Sequence, residues 1–467
     1  MDNIYWNEQL IRKYDLQGPR YTSYPTAMEF QPGFSHQDVF DAASVSRLTA
    51  KPLSLYFHIP FCARLCYYCA CNKIVTKRRE QAQPYLDQLY REMVLQAALF
   101  SKDQDGNSRL VEQLHWGGGT PTFLSPDQMR ELMTRTRELF RLLPDDQGDY
   151  SIEIDPREAD DETLTVLREI GFNRISLGVQ DFDPKVQKAV NRVQSEELTL
   201  HVLTKARELG FRSINIDLIY GLPFQTESTF ARTVDKIIQF SPDRLSVFNY
   251  AHMPNRFKPQ RRIDGATLPT PQQKLSILRN SVDQLIRHDY RFIGMDHFAK
   301  PDDELAIAQS EGHLHRNFQG YTTRGNCDLI AMGVSSISML DRAYYQNVYD
   351  IPGYSDILSQ GKLPVQRGVM LNDDDVLRRE IIMELICNFK LSFKMIEDRY
   401  NISFKEYFKP ELAQLKDMEE DGLVQFGTEN GEELVRIHPA GRLLIRGICK
   451  VFDRYRVEQT QSFSRII

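Results

Sequence analysis

The chain has 467 residues, with Lys+Arg 58 against Asp+Glu 64 and a net charge of -6. Hydrophobic residues at 41% and charged residues at 26% are ordinary for a soluble globular enzyme, which excludes a collagen, a disordered chain and a polytopic membrane protein. Mild acidity without long basic runs argues against nucleic acid as a partner. No window approaches the roughly 18 uninterrupted apolar residues of a bilayer span, so no membrane is expected. The opening Met1-Asp-Asn-Ile-Tyr-Trp6 has neither the basic nor the apolar region of a secretory signal. Seven cysteines is an odd count, and Cys62, Cys66, Cys69 and Cys71 crowd into one short stretch. Disulfide frameworks spread their cysteines through small secreted chains. Clustered thiols in a large leaderless protein therefore point to a reducing cytoplasm and a metal.

In chain order, residues 1–51 read as a strand-poor N-terminal arm containing Gly18-Pro-Arg-Tyr-Thr-Ser-Tyr-Pro25. Its Tyr21 and Tyr24 suit either a lid over an opening or an ordered strap. From residue 52 a β-then-α rhythm begins. Strands are expected at Leu53–His58, Val111–Trp116, Tyr150–Ile154, Arg174–Val179, Ser213–Tyr220 and Arg244–Tyr250. Helical patterns between them cover Pro84–Phe100, Asp127–Leu142, Asp161–Ile170, Glu196–Leu209 and Glu227–Phe240, with Ser125-Pro126 as a start signal. Six strands alternating with helices imply parallel pairing, in a doubly wound sheet or in a complete or partial barrel. Residues 52–270 form this body, and residues 271–365 read as its extension and connecting elements. From 366 to 467 the pattern is mainly helical, with a hairpin near Leu423–Ile437 and a last helix from Ala440. This tail is winged-helix-like, but the acidic Asp417-Met-Glu-Glu-Asp421 run speaks against DNA.

Polar or glycine-rich groups end almost every strand: His58-Ile-Pro-Phe-Cys62, Gly117-Gly-Gly119, Glu153-Ile-Asp155, Gln180-Asp181, Asp217 and Asn249-Tyr250. That edge is where α/β folds place their chemistry. Directly after the first strand stands a C-x3-C-x2-C-x-C run. Structural zinc uses four thiolates too, but usually from two separated knuckles. All four thiols here share one loop, which suits an iron–sulfur cluster better. Gly117-Gly-Gly-Thr-Pro-Thr122 lacks the ending of a phosphate-binding loop and does not fit G-x-G-x-x-G, so nucleotide phosphate is not indicated. Taken singly, Glu153, Gln180, Arg192 and Asp217 are ordinary solvated or capping residues. As successive strand-end or loop groups they form one polar ring, in which carboxylates and an amide suit ribose hydroxyls and Arg192 suits a carboxylate.

The C-x3-C-x2-C core resembles the signature of the radical S-adenosylmethionine (SAM) superfamily. The resemblance implies a partial (β/α)6 TIM-like barrel and a [4Fe-4S] cluster on Cys62, Cys66 and Cys69, with SAM on the fourth iron. Tyr68 then lies beside the adenine, while Cys71 falls outside the motif and reads as a loop thiol near the substrate.

The whole chain, from Ile11-Arg-Lys-Tyr14 to Ser462-Phe-Ser-Arg-Ile-Ile467, is similar to the oxygen-independent coproporphyrinogen III oxidase (dehydrogenase) family. The carrying motifs are Gly18–Pro25, Tyr56-Phe-His-Ile-Pro-Phe-Cys62, Cys71-Asn-Lys73, His115-Trp-Gly-Gly-Gly-Thr-Pro121, Glu153-Ile-Asp-Pro-Arg157, Gly178-Val-Gln-Asp-Phe182, Asn215–Pro223, Gly294-Met-Asp-His-Phe298 and Asn317-Phe-Gln-Gly-Tyr321. This implies anaerobic oxidative decarboxylation of coproporphyrinogen III to protoporphyrinogen IX in haem biosynthesis, by a 5′-deoxyadenosyl radical from reductive SAM cleavage. It implies two SAM molecules. Tyr56, Gly118, Glu153 and Ile337 would contact one; Tyr68, Ala70, Gly119, Thr120, Gln180, Arg192, Asp217 and Ala251 would contact the other. Phe318 and Gln319, near the second methionine, join Tyr56, Glu153 and Ile337 as the residues acting in catalysis. A flavodoxin- or ferredoxin-like protein would donate the electron, and a cytoplasmic monomer is expected. Basic residues for the substrate's propionates include Arg20, Lys73, Arg256, Arg261, Arg262 and Arg316. The alternative is a haem chaperone of the same fold without decarboxylase activity, whose relatives lack the Pro19–Pro25 arm and usually a cysteine matching Cys71.

Overall fold

The structure, a computed structural model, describes residues 4–14 and 18–456. The Ser462–Ile467 stretch of the resemblance lies outside the described residues. By backbone contact the chain divides into two compact units, one holding Phe30–Leu278 and Asn326–Met370, the other the remaining segments.

The first of these is built on six strands in sequence: β1 (Leu53–Ile59), β2 (Leu110–Gly118), β3 (Asp149–Ile154), β4 (Arg174–Gln180), β5 (Ser213–Tyr220) and β6 (Arg244–Asn249). They pair in that order, all parallel. The crossovers are α1 (Ala82–Phe100), α2 (Pro126–Leu139), α3 (Asp161–Glu169), α4 (Glu196–Glu208) and α5 (Glu227–Phe240). Local chemistry sets their starts. Ser125 accepts from the Gln128 N–H while the Gln128 side chain returns to Ser125, with Pro126 in the first turn. Thr226 and Thr229 do the same for α5.

One further parallel strand, and several antiparallel ones, lie beyond the expected six. β7 (Asp328–Met332) pairs parallel with β1, Asp328 opposite Leu53, so the parallel body runs β7-β1-β2-β3-β4-β5-β6. From β7 the sheet continues antiparallel through β8 (Ile337–Met339), β9 (Ala343–Asn347) and β10 (Val365–Met370) to the two-residue strand Gln31–Pro32. A fully buried helix-facing side and a half-buried inner side alternate along β4 and β5: Ile175, Leu177 and Val179 are buried, whereas Ser176, Gly178 and Gln180 are not. The half-buried positions carry the polar groups. This is the partial barrel.

In the other unit, the helix Asp373–Asn388 leads into a three-stranded antiparallel sheet of Lys390–Ser392, Glu432–Ile437 and Val424–Glu429. Short helices surround it, so this region is mainly helical. The arm is anchored as a strap would be. Tyr21 and Tyr24 are buried, Tyr21 Oη donates to Asp453 at 2.9 Å, and Arg446 Nε donates to the Pro19 carbonyl at 2.9 Å.

Candidate active site

The inner side of the sheet carries two groups of polar contacts, one on β1 to β3 and one on β4 and β5. On β1 and β2, the Tyr56 and His115 rings stack with centroids 5.8 Å apart. His115 Nδ1 meets Ser151 Oγ at 2.6 Å and its Nε2 lies 3.5 Å from Glu153, both on β3. Ser176 Oγ on β4 donates to Asp217 on β5 at 3.0 Å, and Asn215 Nδ2 donates to Asp217 at 2.8 Å. Glu153 is 47% accessible although it sits on this inner side, so the barrel interior is open at its level. Enclosure raises its pKa, but His115 and the Gly118 N–H, which donates at 3.0 Å, hold the carboxyl below its ordinary value. Burial, helped by the charge of Glu153, pushes Asp217 up to about 6. Two carboxylates in one interior thus titrate apart.

The cysteine loop leaves β1 at Pro60 and is stitched to the glycine turn. Gly119 N–H donates to the Ile59 carbonyl at 2.8 Å and Thr120 N–H to the Phe61 carbonyl at 2.8 Å. A Cβ on Gly119 would lie 2.6 Å from the Phe61 carbonyl oxygen, and one on Gly118, whose φ is +112°, 2.6 Å from the His58 ring. Neither position accepts a side chain. Thr120 Oγ1 donates to Cys62 Sγ at 3.6 Å. Arg192 Nη1 and Arg157 Nη2 converge on Cys66 Sγ at 3.4 and 3.6 Å. Both guanidiniums also bind Asp155, and against the effect of enclosure they hold its carboxyl at about 2. A hydrogen bond from Cys71, reinforced by Lys73, moves Cys69 below the usual thiol range, and the same bond moves Cys71 above it. Burial pushes Cys62 up to about 12. Among the described residues no His, Cys, Asp or Glu group forms the ligand set of a single metal ion.

The donor set fits an iron–sulfur group with SAM. Three thiols share one loop, Cys62 beside the Thr120 hydroxyl, Cys66 beside two guanidiniums and Cys69 beside Cys71 and Lys73, a set suited to the irons of one compact cluster. Arg192 Nε, on the side chain that reaches Cys66, and Gln180 Oε1, at the end of β4, are buried with no hydrogen-bond partner.

The remaining expected residues fall as follows. Tyr68 is half-buried and packs on Val186, Val190, Leu222, Tyr250 and Ile263. Gln180 ends β4 at φ +72°, after a register shift. Thr120 is buried, Ala70 and Ala251 are exposed, and Ile337 opens β8. Phe318 and Gln319 form the turn between the strands His315–Asn317 and Gly320–Thr322 and belong to the other unit. There, Arg20 pairs with Asp296 and the buried Arg316 lies over the Tyr321 ring. In the barrel unit, Lys73 donates to the Cys69 and Cys71 carbonyls, Arg262 lies over Tyr67, Arg261 donates to the Pro254 carbonyl, and Arg256 lies over Phe257. Sequence reasoning took Asp155 only as a strand-end polar group and left Arg157 and His115 without a role in the site. The signal was present in Glu153-Ile-Asp-Pro-Arg157, where two charged residues follow the strand-end glutamate.

The Radical SAM superfamily model matches residues 56–237, and the HemN C-terminal domain model matches 371–444. The chain is 54% identical to the oxygen-independent coproporphyrinogen III oxidase of Pseudomonas aeruginosa, over 100% of both chains. Identity to the Escherichia coli oxidase is 50%, again over 100% of both. The chain belongs to the oxygen-independent coproporphyrinogen III oxidase family. A solved structure titled as coproporphyrinogen III oxidase (HemN) from Escherichia coli, a radical SAM enzyme, superimposes with a TM-score of 0.90, covering 97% of this chain and 100% of that one at 49% identity. Membership in this family carries with it a [4Fe-4S] cluster and SAM. No helix among the described residues is long and apolar enough to cross a membrane.

Proposed function

We propose that this chain performs the oxygen-independent decarboxylation of coproporphyrinogen III to protoporphyrinogen IX, a step of haem biosynthesis. The observation that carries the reading is the 54% identity to a named oxidase over the full length of both chains. In the reaction each of two propionates loses CO2, one proton and two electrons and becomes a vinyl group. The cluster and SAM, when bound, supply one-electron cleavage and hydrogen-abstracting power.

The chain's own groups hold and orient. Cys62, Cys66 and Cys69 are the iron ligands in this reading. Thr120 donates to Cys62, while Arg192 and Arg157 donate to Cys66 and compensate the charge a thiolate would carry in an enclosed site. Cys71, hydrogen-bonded to Cys69, stands outside the ligand set in this reading. Tyr56, Gly118, Glu153 and Ile337 hold one SAM. Tyr68, Ala70, Gly119, Thr120, Gln180, Arg192, Asp217 and Ala251 hold a second, with Phe318 and Gln319 acting toward its methionine. Glu153, ionised below neutral pH, suits an ammonium or hydroxyl donor; Asp217, at about 6, accepts ribose hydroxyls. A flavodoxin- or ferredoxin-like donor, a cytoplasmic setting and a monomer complete the proposal.

The test is an anaerobic incubation of reconstituted protein with SAM, a reductant and coproporphyrinogen III, read by mass spectrometry. Protoporphyrinogen with two 5′-deoxyadenosines per product is the expected result. SAM cleavage without decarboxylation overturns the substrate. Haem binding without SAM cleavage in a brown, iron-loaded protein overturns the reaction in favour of a chaperone.

A further inference from the structure

Glu92 on α1 is fully buried, and among the described residues no Lys, Arg or His pairs with it. A carboxylate so placed is costly unless every lone pair is used. Glu92 uses them all. One oxygen accepts from the Gly333 N–H at 2.8 Å and from Tyr354 Oη; the other accepts from Asn347 Nδ2 at 2.7 Å and Gln96 Nε2 at 3.4 Å. Apart from Gln96 on α1 itself, its partners come from β9, from the helix Ile351–Ser359 and from the turn joining β7 to β8.

That turn, Gly333–Ser336, is the connection to the site. Tyr85, two helical turns before Glu92, accepts from the Val334 N–H at 3.2 Å and donates to the His58 carbonyl at 2.6 Å. A Cβ on Gly333, whose φ is +98°, would lie 2.5 Å from Tyr85 Oη and 2.7 Å from the His58 carbonyl oxygen. Ser335 Oγ accepts from Asn72 Nδ2 at 2.9 Å. Asn72 in turn holds His58 Nε2 through its carbonyl at 3.0 Å, and His58 Nδ1 meets Tyr56 Oη at 3.1 Å. His58 and Asn72 flank the four thiols, one before Cys62 and the other after Cys71.

We propose that Glu92 is a positioning residue for the reaction: its carboxylate fixes the Gly333–Ser336 turn, and that turn fixes both ends of the cysteine loop together with Tyr56. The inference rests on the proposed function for what the loop holds, but not for the contacts themselves. Glu92→Gln keeps the shape of the side chain while turning an N–H2 toward groups that all donate, so it unseats the turn rather than hollowing the core.

The experiment compares the full-length wild type with Glu92→Gln, with iron content and melting temperature as folding controls. In the cluster-free chain, amide exchange at Gly333–Ser336 and at Asn72 is expected to quicken about tenfold. In the reconstituted enzyme, the KM for SAM rises about tenfold per folded, iron-loaded chain, and more 5′-deoxyadenosine is released per porphyrinogen formed. Wild-type exchange at Asn72, with wild-type KM and product coupling, overturns the proposal even where the melting temperature falls. Should Glu92→Gln not accumulate as folded chain, Tyr85→Phe removes the bond to His58 and is held to the same two outcomes. Absence of turnover in the wild type itself, with the exchange difference intact, overturns the proposed function and leaves the positioning role standing.

Discussion

Asp155 and Glu92 lie in the same unit, each with little or no exposed side chain, 11% and 0% respectively. Their surroundings differ in one respect. Asp155 faces two guanidiniums: Arg157 at 2.6 Å and Arg192 at 3.1 Å. Glu92 faces only neutral donors. Enclosure raises both pKa values, but the cations bring Asp155 to about 2, whereas Glu92 stands at about 7. Hydrogen bonds satisfy a buried carboxylate in either case; only a neighbouring cation makes its charge cheap at low pH. The cationic cluster belongs to the thiols, where negative charge accumulates. The neutral network belongs to the scaffold behind them.

The largest effect expected comes from the thiol that the two arginines share. Cys66→Ser should abolish SAM cleavage, by about a thousandfold or more, with loss of cluster iron and sulfide. Cys71→Ser should keep the iron, and iron loss equal to that of Cys66→Ser would break the ligand assignment. Next in size, Arg192→Met removes one of the two buried guanidiniums that Asp155 and Cys66 share, leaving Arg157 to face both. It should lower unfolding free energy by about 3–5 kcal/mol in urea titrations. A change below about 1 kcal/mol would mean that Arg157 alone compensates the site.

The two carboxylates should also tilt the stability–pH curve in opposite directions. Asp155 has its folded pKa below the ordinary 3.8, so its contribution is present above about pH 4 and lost as pH falls toward 2. Glu92 has its folded pKa above the ordinary 4.5, so its contribution is full below about pH 4.5 and lost as pH rises through 7. At about 1.4 kcal/mol per pH unit between the two values, these amount to roughly 2.5 kcal/mol for Asp155 and roughly 3.5 kcal/mol for Glu92. Asp155→Asn should flatten only the acid limb and Glu92→Gln only the limb between about pH 4.5 and 7, measured by chemical denaturation across pH. An unchanged neutral limb in Glu92→Gln would show that its neighbours carry the titration. The smallest effect belongs to Ser335→Ala. Asn72 keeps its bond to the Tyr349 carbonyl at 2.9 Å, so the KM for SAM should rise only about two- to threefold.

Much of the fold is readable along the chain because its signals are local. The six strands begin and end within about two residues of their expected positions, and α5 spans Glu227–Phe240 as expected. α2 stops at Leu139, short of the expected Leu142, because Arg141–Leu142 joins the sheet beside β2. β7 escapes notice: Asp328–Met332 is five residues long, and nothing near it shows the β-then-α rhythm that marks the others. Of the site, the thiol spacing, the glycine run and the strand-end polar groups are legible. Arg157 and His115 become visible only when Cys66 and Glu153 are seen beside them. The Glu92 network is silent in sequence, because its partners Gly333, Asn347 and Tyr354 lie more than 240 residues further on.

What the sequence by itself determined is therefore whatever depends on near neighbours. Side-chain period makes the strands and helices, caps start the helices, and four closely spaced thiols favour an iron–sulfur loop over structural zinc. What only the tertiary structure decided is which charges meet. The environment of a carboxylate is set by groups within a few ångströms, and in a parallel barrel those groups arrive from strands and turns far apart in the chain. That is why Asp155, Asp217 and Glu92, alike as letters, settle at about 2, about 6 and about 7.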